Sequence, residues 1–180
     1  MGQWRKPVSR TAGSGEISGS QRSYCGFEKV PTGPFLYLYE IKIVIIYTMI
    51  TILATGKVRE RYIKEGMEEY LTRLQKYAKV VYVEKESLNV PDGFVIALDE
   101  KGKQFTSEQF AGYLKKKTLE EKNITFIIGG AEGIPSEVKL KCQETIALSE
   151  MTFPNQLVRL IFVEQLYRAF TIMKGENYHK

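Results

Sequence analysis

From Met49 onward the chain alternates short apolar runs with stretches whose apolar residues recur every three or four positions. That alternation limits the fold more than any other feature. MITILATG (49–56), KVVYVE (79–84), FVIALD (94–99), ITFIIGG (124–130) and TIALS (145–149) are rich in β-branched residues and close on glycine or polar residues, so they read as strands. FVIALD and ITFII are nearly continuous in apolar residues, as strands buried on both faces are. Residues 59–76 place Tyr62, Ile63, Met67, Tyr70, Leu71 and Leu74 on one helical face. Ser107 stands where it can cap a helix reaching about Lys122, with Glu108 in the first turn. Pro135 and Ser136 open a short helix to about Cys142. A last helix, from about Gln156 to Met173, is apolar on most of its circumference and is expected to be buried in a core or against a partner. Strands alternating with helices predict an α/β domain whose parallel sheet is covered on both faces.

Residues 1–48 read differently. Glycine, serine and proline dominate the first thirty or so positions, and such a stretch cannot bury enough apolar surface to offset the entropy of ordering. FLYLYEIKIVIIYT (35–48) is broken by Glu40 and Lys42 and falls short of the ~20 apolar residues of a membrane span. No small-residue cleavage site follows it, so no signal peptide and no membrane partner are expected. The expectation is a domain at 49–180 that begins at Met49, preceded by a disordered or non-native extension at 1–48. An accessory extension is the rival reading.

Charge says little about partners. The net charge is +5, but residues 1–48 hold six basic and three acidic side chains, which leaves the 49–180 domain nearly balanced. Cys25 and Cys142 are far apart with no CxxC and no histidine neighbour, so neither zinc nor a disulfide framework is expected. The single histidine, His179, lies beside the C-terminus, where a nucleophile–histidine pair forms only if the tail folds back. HExxH motifs and carboxylate clusters are missing, so no metal centre is expected.

Two loops can carry chemistry. Gly129-Gly130-Ala131-Glu132-Gly133 follows ITFII, at the carboxyl end of a strand, where open α/β sheets bind ligands. It is neither GxGxxG nor a P-loop, and on its own it reads equally well as a tight turn. Ser149–Gln156 joins the last strand to the last helix; Pro154 keeps Phe153 out of helical conformation, and an ordinary connecting loop is the bland alternative.

Taken together, MITILATGKVRERY (49–62), ALDEKGK (97–103), FIIGGAEG (126–133) and ALSEMTFPNQLVRLIFVEQLYRAFTIMKGENYHK (147–180) resemble the RlmH family of the SPOUT superfamily. Those enzymes transfer a methyl group from S-adenosylmethionine to N3 of a pseudouridine in 23S rRNA. The resemblance implies a parallel-sheet fold with a C-terminal trefoil knot, a homodimer, a cytoplasmic location and the ribosome as partner. It implies that Leu98 contacts S-adenosylmethionine and that Gly129 and Gly130 let the backbone approach it. Leu148, Ser149, Glu150, Met151, Thr152 and Phe153 would wrap the adenine and methionine parts. Arg168, Tyr178 and His179 fall in the family's C-terminal motif as the expected catalytic residues: Arg168 for phosphate or developing charge, Tyr178 and His179 for positioning the base or removing its proton. Arg159 would serve the dimer or the RNA surface, and Leu166, Tyr167 and Phe170 the two-fold interface.

The sequence departs from the family twice. Only KESLNVPDG (85–93) joins the second and third strands, where relatives usually have a further helix, yet parallel neighbours need a crossover of a dozen residues or more. Asn155 stands where the family often has histidine, and no essential role is expected of it. Two other functions fit the same features: a SPOUT methyltransferase for another RNA site, and a ribosome-binding module without catalysis.

Overall fold

The computed structural model describes residues 48–180. The expectations for residues 1–47 lie outside the described residues. Thr48 belongs to the folded part: it is buried and its hydroxyl donates to the Thr118 carbonyl at 3.0 Å.

The elements run β1 (Met49–Thr55), α1 (Arg61–Leu74), β2 (Lys79–Lys85), β3 (Phe94–Gln104), α2 (Ser107–Glu120), β4 (Asn123–Ile128), α3 (Ser136–Lys139), β5 (Glu144–Ala147) and α4 (Asn155–Met173). Every strand expected from the sequence is present, and all pairings are parallel in the order β2-β1-β4-β3-β5. The near-continuous apolar runs are central, as their composition requires: Val95–Leu98 and Ile124–Ile128 are buried. The short 85–93 connection does not join neighbouring strands. β2 and β3 are not neighbours, because β1 and β4 lie between them.

Handedness then decides which face each connection covers. Steps from β1 to β2 and from β3 to β4 run in one direction across the sheet, while those from β2 to β3 and from β4 to β5 run in the other. Right-handed crossovers therefore put α1 and α2 on one face, and the 86–93 segment and α3 on the opposite face. The cores agree. Ile50, Ile52, Ile96, Ile124 and Phe126 pack with Ile63 and Met67 of α1, Leu114 of α2, and Phe162 and Leu166 of α4. Leu53, Val95, Ala97 and Ile127 pack with Ile134 and Val138, flanked by Leu88 and Val90. Both faces are covered, but all three long helices share one of them. Leu88 and Val90 of an extended strap occupy the place of a helix on the other.

Several local expectations are corrected. Tyr62 is 63% exposed, because it sits on the solvent side of α1. Thr106, not Ser107, caps α2: its hydroxyl accepts from the Gln109 N–H, and the Gln109 side chain accepts from the Thr106 N–H. The α4 residues Leu166 and Phe170 are fully buried in their own core and cannot serve a two-fold interface. Tyr167 is engaged by Tyr70, Tyr77 and Tyr178.

β3 also runs beyond the expected 94–99. Ile146 of β5 is paired with both Leu98 and Lys103, so the pairing shifts register over 99–102. Gly102 is what permits this approach, since a Cβ there would lie 2.4 Å from the Ile146 carbonyl carbon. Gly102→Ala should destabilise the domain by about 1–3 kcal/mol through overpacking. Gly112→Ala, on α2 with nothing near its Cβ position, should stabilise it by about 0.5–1 kcal/mol, both read from urea unfolding.

Candidate active site

The carboxyl ends of the parallel strands form one rim, and α4 begins there. Asn155 Nδ2 donates to the Gly129 carbonyl, while its Oδ1 accepts from Arg159 Nη2 at 2.9 Å. Arg159 is 2% exposed, and its guanidinium donates to the Thr55 carbonyl at 2.5 Å, the Gly56 carbonyl at 2.8 Å and the Tyr82 hydroxyl at 3.2 Å. Glu84 lies 3.7 Å away as counter-ion. This corrects two expectations. Arg159 is a buried clamp rather than a dimer or RNA contact, and Asn155 ties the final helix to the glycine loop. A buried guanidinium is costly unless its donors are met; both terminal nitrogens are, by the carbonyls at the end of β1, Tyr82 and Asn155, while Nε is buried without a partner.

Beside this latch lies a cleft of about 600 Å3. Leu98, Gly129, Gly130, Leu148, Ser149, Met151, Thr152 and Phe153 all line it, and Glu150, which is exposed, does not. The glycines serve the loop more than an approaching ligand. A Cβ on Gly129 would lie 2.3 Å from the Gly133 carbonyl carbon, and Gly133 adopts φ +79°, so the 129–133 turn closes on itself. Gly130 leaves ordinary room, its nearest neighbour being Thr55. The sequence reading missed Asp99, Lys139, Asn155 and Val158, which also face the cleft. Asp99 was inside the ALDEKGK match, but Lys139 lies on a different element and carried no signal.

Arg168, Tyr178 and His179 are brought together by Glu164, a residue the sequence reading missed. Its Oε1 accepts from Arg168 Nη2 at 2.6 Å, Arg168 Nε at 3.1 Å and the Tyr178 hydroxyl at 3.0 Å. The i, i+4 spacing of Glu164 and Arg168 on α4 was the available clue. Arg168 can only donate, so His179 Nδ1 accepts from it at 3.3 Å and Nε2–H faces the Glu108 carboxylate at 2.5 Å. Burial, then hydrogen bonds to Tyr70 and Glu164, push the Tyr178 phenol well above its ordinary range, so it keeps its proton at neutral pH. Arg168 stands thirteen positions beyond Asn155, which at 1.5 Å rise per residue is roughly 20 Å along α4. The cluster and the cleft occupy opposite ends of one helix.

A second hollow of about 330 Å3 adjoins the cleft and shares Leu148 and Phe153 with it; Phe105, Ile161 and Gln165 also line it. Among the described residues no group of acidic, histidine or cysteine side chains can hold a metal ion, and no helix is long and apolar enough to cross a membrane.

Residues 48–179 match a family model described as "Predicted SPOUT methyltransferase", and the chain belongs to that family. Among its relatives is the ribosomal RNA large subunit methyltransferase H of Carboxydothermus hydrogenoformans, 42% identical over 157 residues, covering 73% of this chain and 99% of that protein. The protein of the same name from Coprothermobacter proteolyticus is 44% identical over 135 residues, covering 72% of this chain and 97% of its own length. A Clostridium beijerinckii protein of that name is 40% identical over 157 residues. The RlmH resemblance read from the motifs is thereby shown. The Carboxydothermus match spans 157 positions and the Coprothermobacter match 135, although the two cover nearly the same share of this chain, 73% and 72%.

The latch makes a stability prediction. Asn155→Ala leaves the Gly129 carbonyl without its donor and should cost about 1–3 kcal/mol in urea unfolding, whereas Asn155→His, which keeps a donor, should retain most of the stability. Arg159→Ala, which leaves the Thr55 and Gly56 carbonyls without their donor, should cost about 2–5 kcal/mol.

Proposed function

We propose that this enzyme, a ribosomal RNA large subunit methyltransferase by family, methylates N3 of a pseudouridine in 23S rRNA, using S-adenosylmethionine in the cytoplasm as a homodimer. The observation that carries the reading is the cleft at the strand rim, bounded by the glycine loop on one side and the 148–153 loop on the other. Its residues suit such a donor. Leu98, Ile128, Leu148 and Val158 offer an apolar wall for adenine, backbone groups of the two loops offer polar contacts for its edge, and the volume matches a ligand of that size. Bound there, the donor supplies a methyl group on a cationic sulfur, open to displacement by the base nitrogen.

The chain's own work is orientation and proton handling. Within one protomer the Arg168–His179 cluster lies too far along α4 to touch a base held at the cleft, where reacting groups must approach to about 3–3.5 Å. A second copy brings its cluster to the first copy's cleft. Met151, 73% exposed, and Phe153, 37% exposed, stand at the cleft rim as apolar surface such a copy would cover. Arg168 then leaves His179 to meet RNA phosphate or the charge developing on the base, and the Nδ1 it frees takes up the N3 proton. Tyr178, which keeps its own proton, positions the base. The family likeness also implies a trefoil knot in the C-terminal part of the chain.

Large ribosomal subunits lacking the modification, incubated with the protein and methyl-labelled S-adenosylmethionine, should take up label at a single pseudouridine, located by mass spectrometry of nuclease fragments. Arg168→Ala and His179→Ala should each lower the rate on the order of 100-fold without weakening donor binding. Mixing Arg168→Ala with Gly130→Phe, which blocks the cleft, should restore activity that neither has alone, since hybrid dimers keep one intact pairing. Label at another nucleotide would move the reading to a different RNA site, and no label at all would refute it.

A further inference from the structure

One charge pair in the cleft has no part in the reading above. Asp99 follows Leu98 where β3 leaves the core, and Lys139 ends α3; Lys139 Nζ donates to Asp99 Oδ2 at 2.5 Å, and both residues line the cleft. The other Asp99 oxygen accepts the Lys101 N–H at 3.1 Å, which fixes the carboxylate in place. The Asp99 side chain is 13% exposed and that of Lys139 35%, so each still meets solvent from the cleft side.

We infer that Asp99 and Lys139 form a subsite for an α-amino acid zwitterion, the methionyl end of the methyl donor, with the ligand's ammonium at Asp99 and its carboxylate at Lys139. This rests on the cofactor reading above. A zwitterion presents both charges a few ångströms apart and turns a pair into an alternating set of four, in which no charge is left without an opposite neighbour. A purely anionic ligand meets repulsion from Asp99, and a purely cationic one from Lys139. The hydrogen bond from Lys139 holds the Asp99 carboxyl below the usual carboxylate range, so it is ionised at neutral pH. Glu100, Lys101 and Glu132 line the same cleft, and the Lys101 charge also acts on Asp99, but the ion pair itself is formed by Asp99 and Lys139. The pair also bridges the β3 side of the cleft to the α3 side, and a mere strap would look similar in outline; the ligand's two ends tell the two roles apart.

The test is calorimetric titration of the full chain with two probes: S-adenosylhomocysteine, which carries the amino acid end, and 5′-methylthioadenosine, which lacks it. The wild type should bind the first at least about tenfold more tightly, the scale of one charged hydrogen bond. Asp99→Asn and Lys139→Gln should each weaken the first probe about tenfold and leave the second unchanged. A decarboxylated S-adenosylhomocysteine should respond to Asp99→Asn and ignore Lys139→Gln. Equal losses on both probes, as a strap or a ribose contact would give, overturn the inference, and so does an absence of loss on either. Failure of the wild type to bind either probe is a different result: it takes down the cofactor reading, and this inference with it.

Discussion

The buried guanidinium of Arg159 is the interaction on which the functional end of the molecule depends. One side chain from the first turns of α4 reaches the carbonyls that end β1, the hydroxyl of Tyr82 on β2, and Asn155, which in turn holds the glycine loop after β4. Three strand ends and a helix start are thereby set relative to one another. Gln156, the next residue along, accepts the N–H groups of Arg59 and Glu60 and so ties down the entry to α1 from nearly a hundred residues away. The cleft exists because α4 starts where it does. Without the latch the glycine loop and the 148–153 loop have no common anchor.

Handedness sets the rest. Alternate steps in opposite directions across the sheet segregate the connections, long helices to one face and short pieces to the other. The short-piece face can lose a helix and still be covered, because an extended strap bearing Leu88 and Val90 suffices for a strip of sheet already flanked by α3. That is how the 86–93 connection, eight residues long, spans from one edge of the sheet past two strands. The rim that carries the cleft is untouched by the shortening.

Much of this was legible in the amino-acid order. Ile124–Ile128 and Val95–Leu98 announce central strands because burial on both faces leaves no room for polar alternation. The Gly129–Gly133 and Ser149–Phe153 loops were found, the second chiefly through family resemblance, and they meet in one cleft. What escaped was non-local. Residues 100–104 are polar and aperiodic, and only the pairing with Ile146 and Ala147 makes Lys103 and Gln104 part of a strand. Arg159 looked like a surface residue by type, although it stands three and four positions before the buried Phe162 and Val163, on the same helical face. Asp99 and Lys139 are forty residues apart and share nothing until the glycine loop folds between them. Glu164 was hidden for a simpler reason: an i, i+4 pair with arginine usually marks a solvated surface.

The most direct measurement is hydrogen–deuterium exchange on the full chain with and without S-adenosylhomocysteine. If one ligand closes both walls, amides in 129–133 and in 148–153 should slow together on ligand addition, with the same concentration dependence. Protection confined to one loop, or located elsewhere in the described domain, would contradict a shared cleft held in register by Arg159 and Asn155.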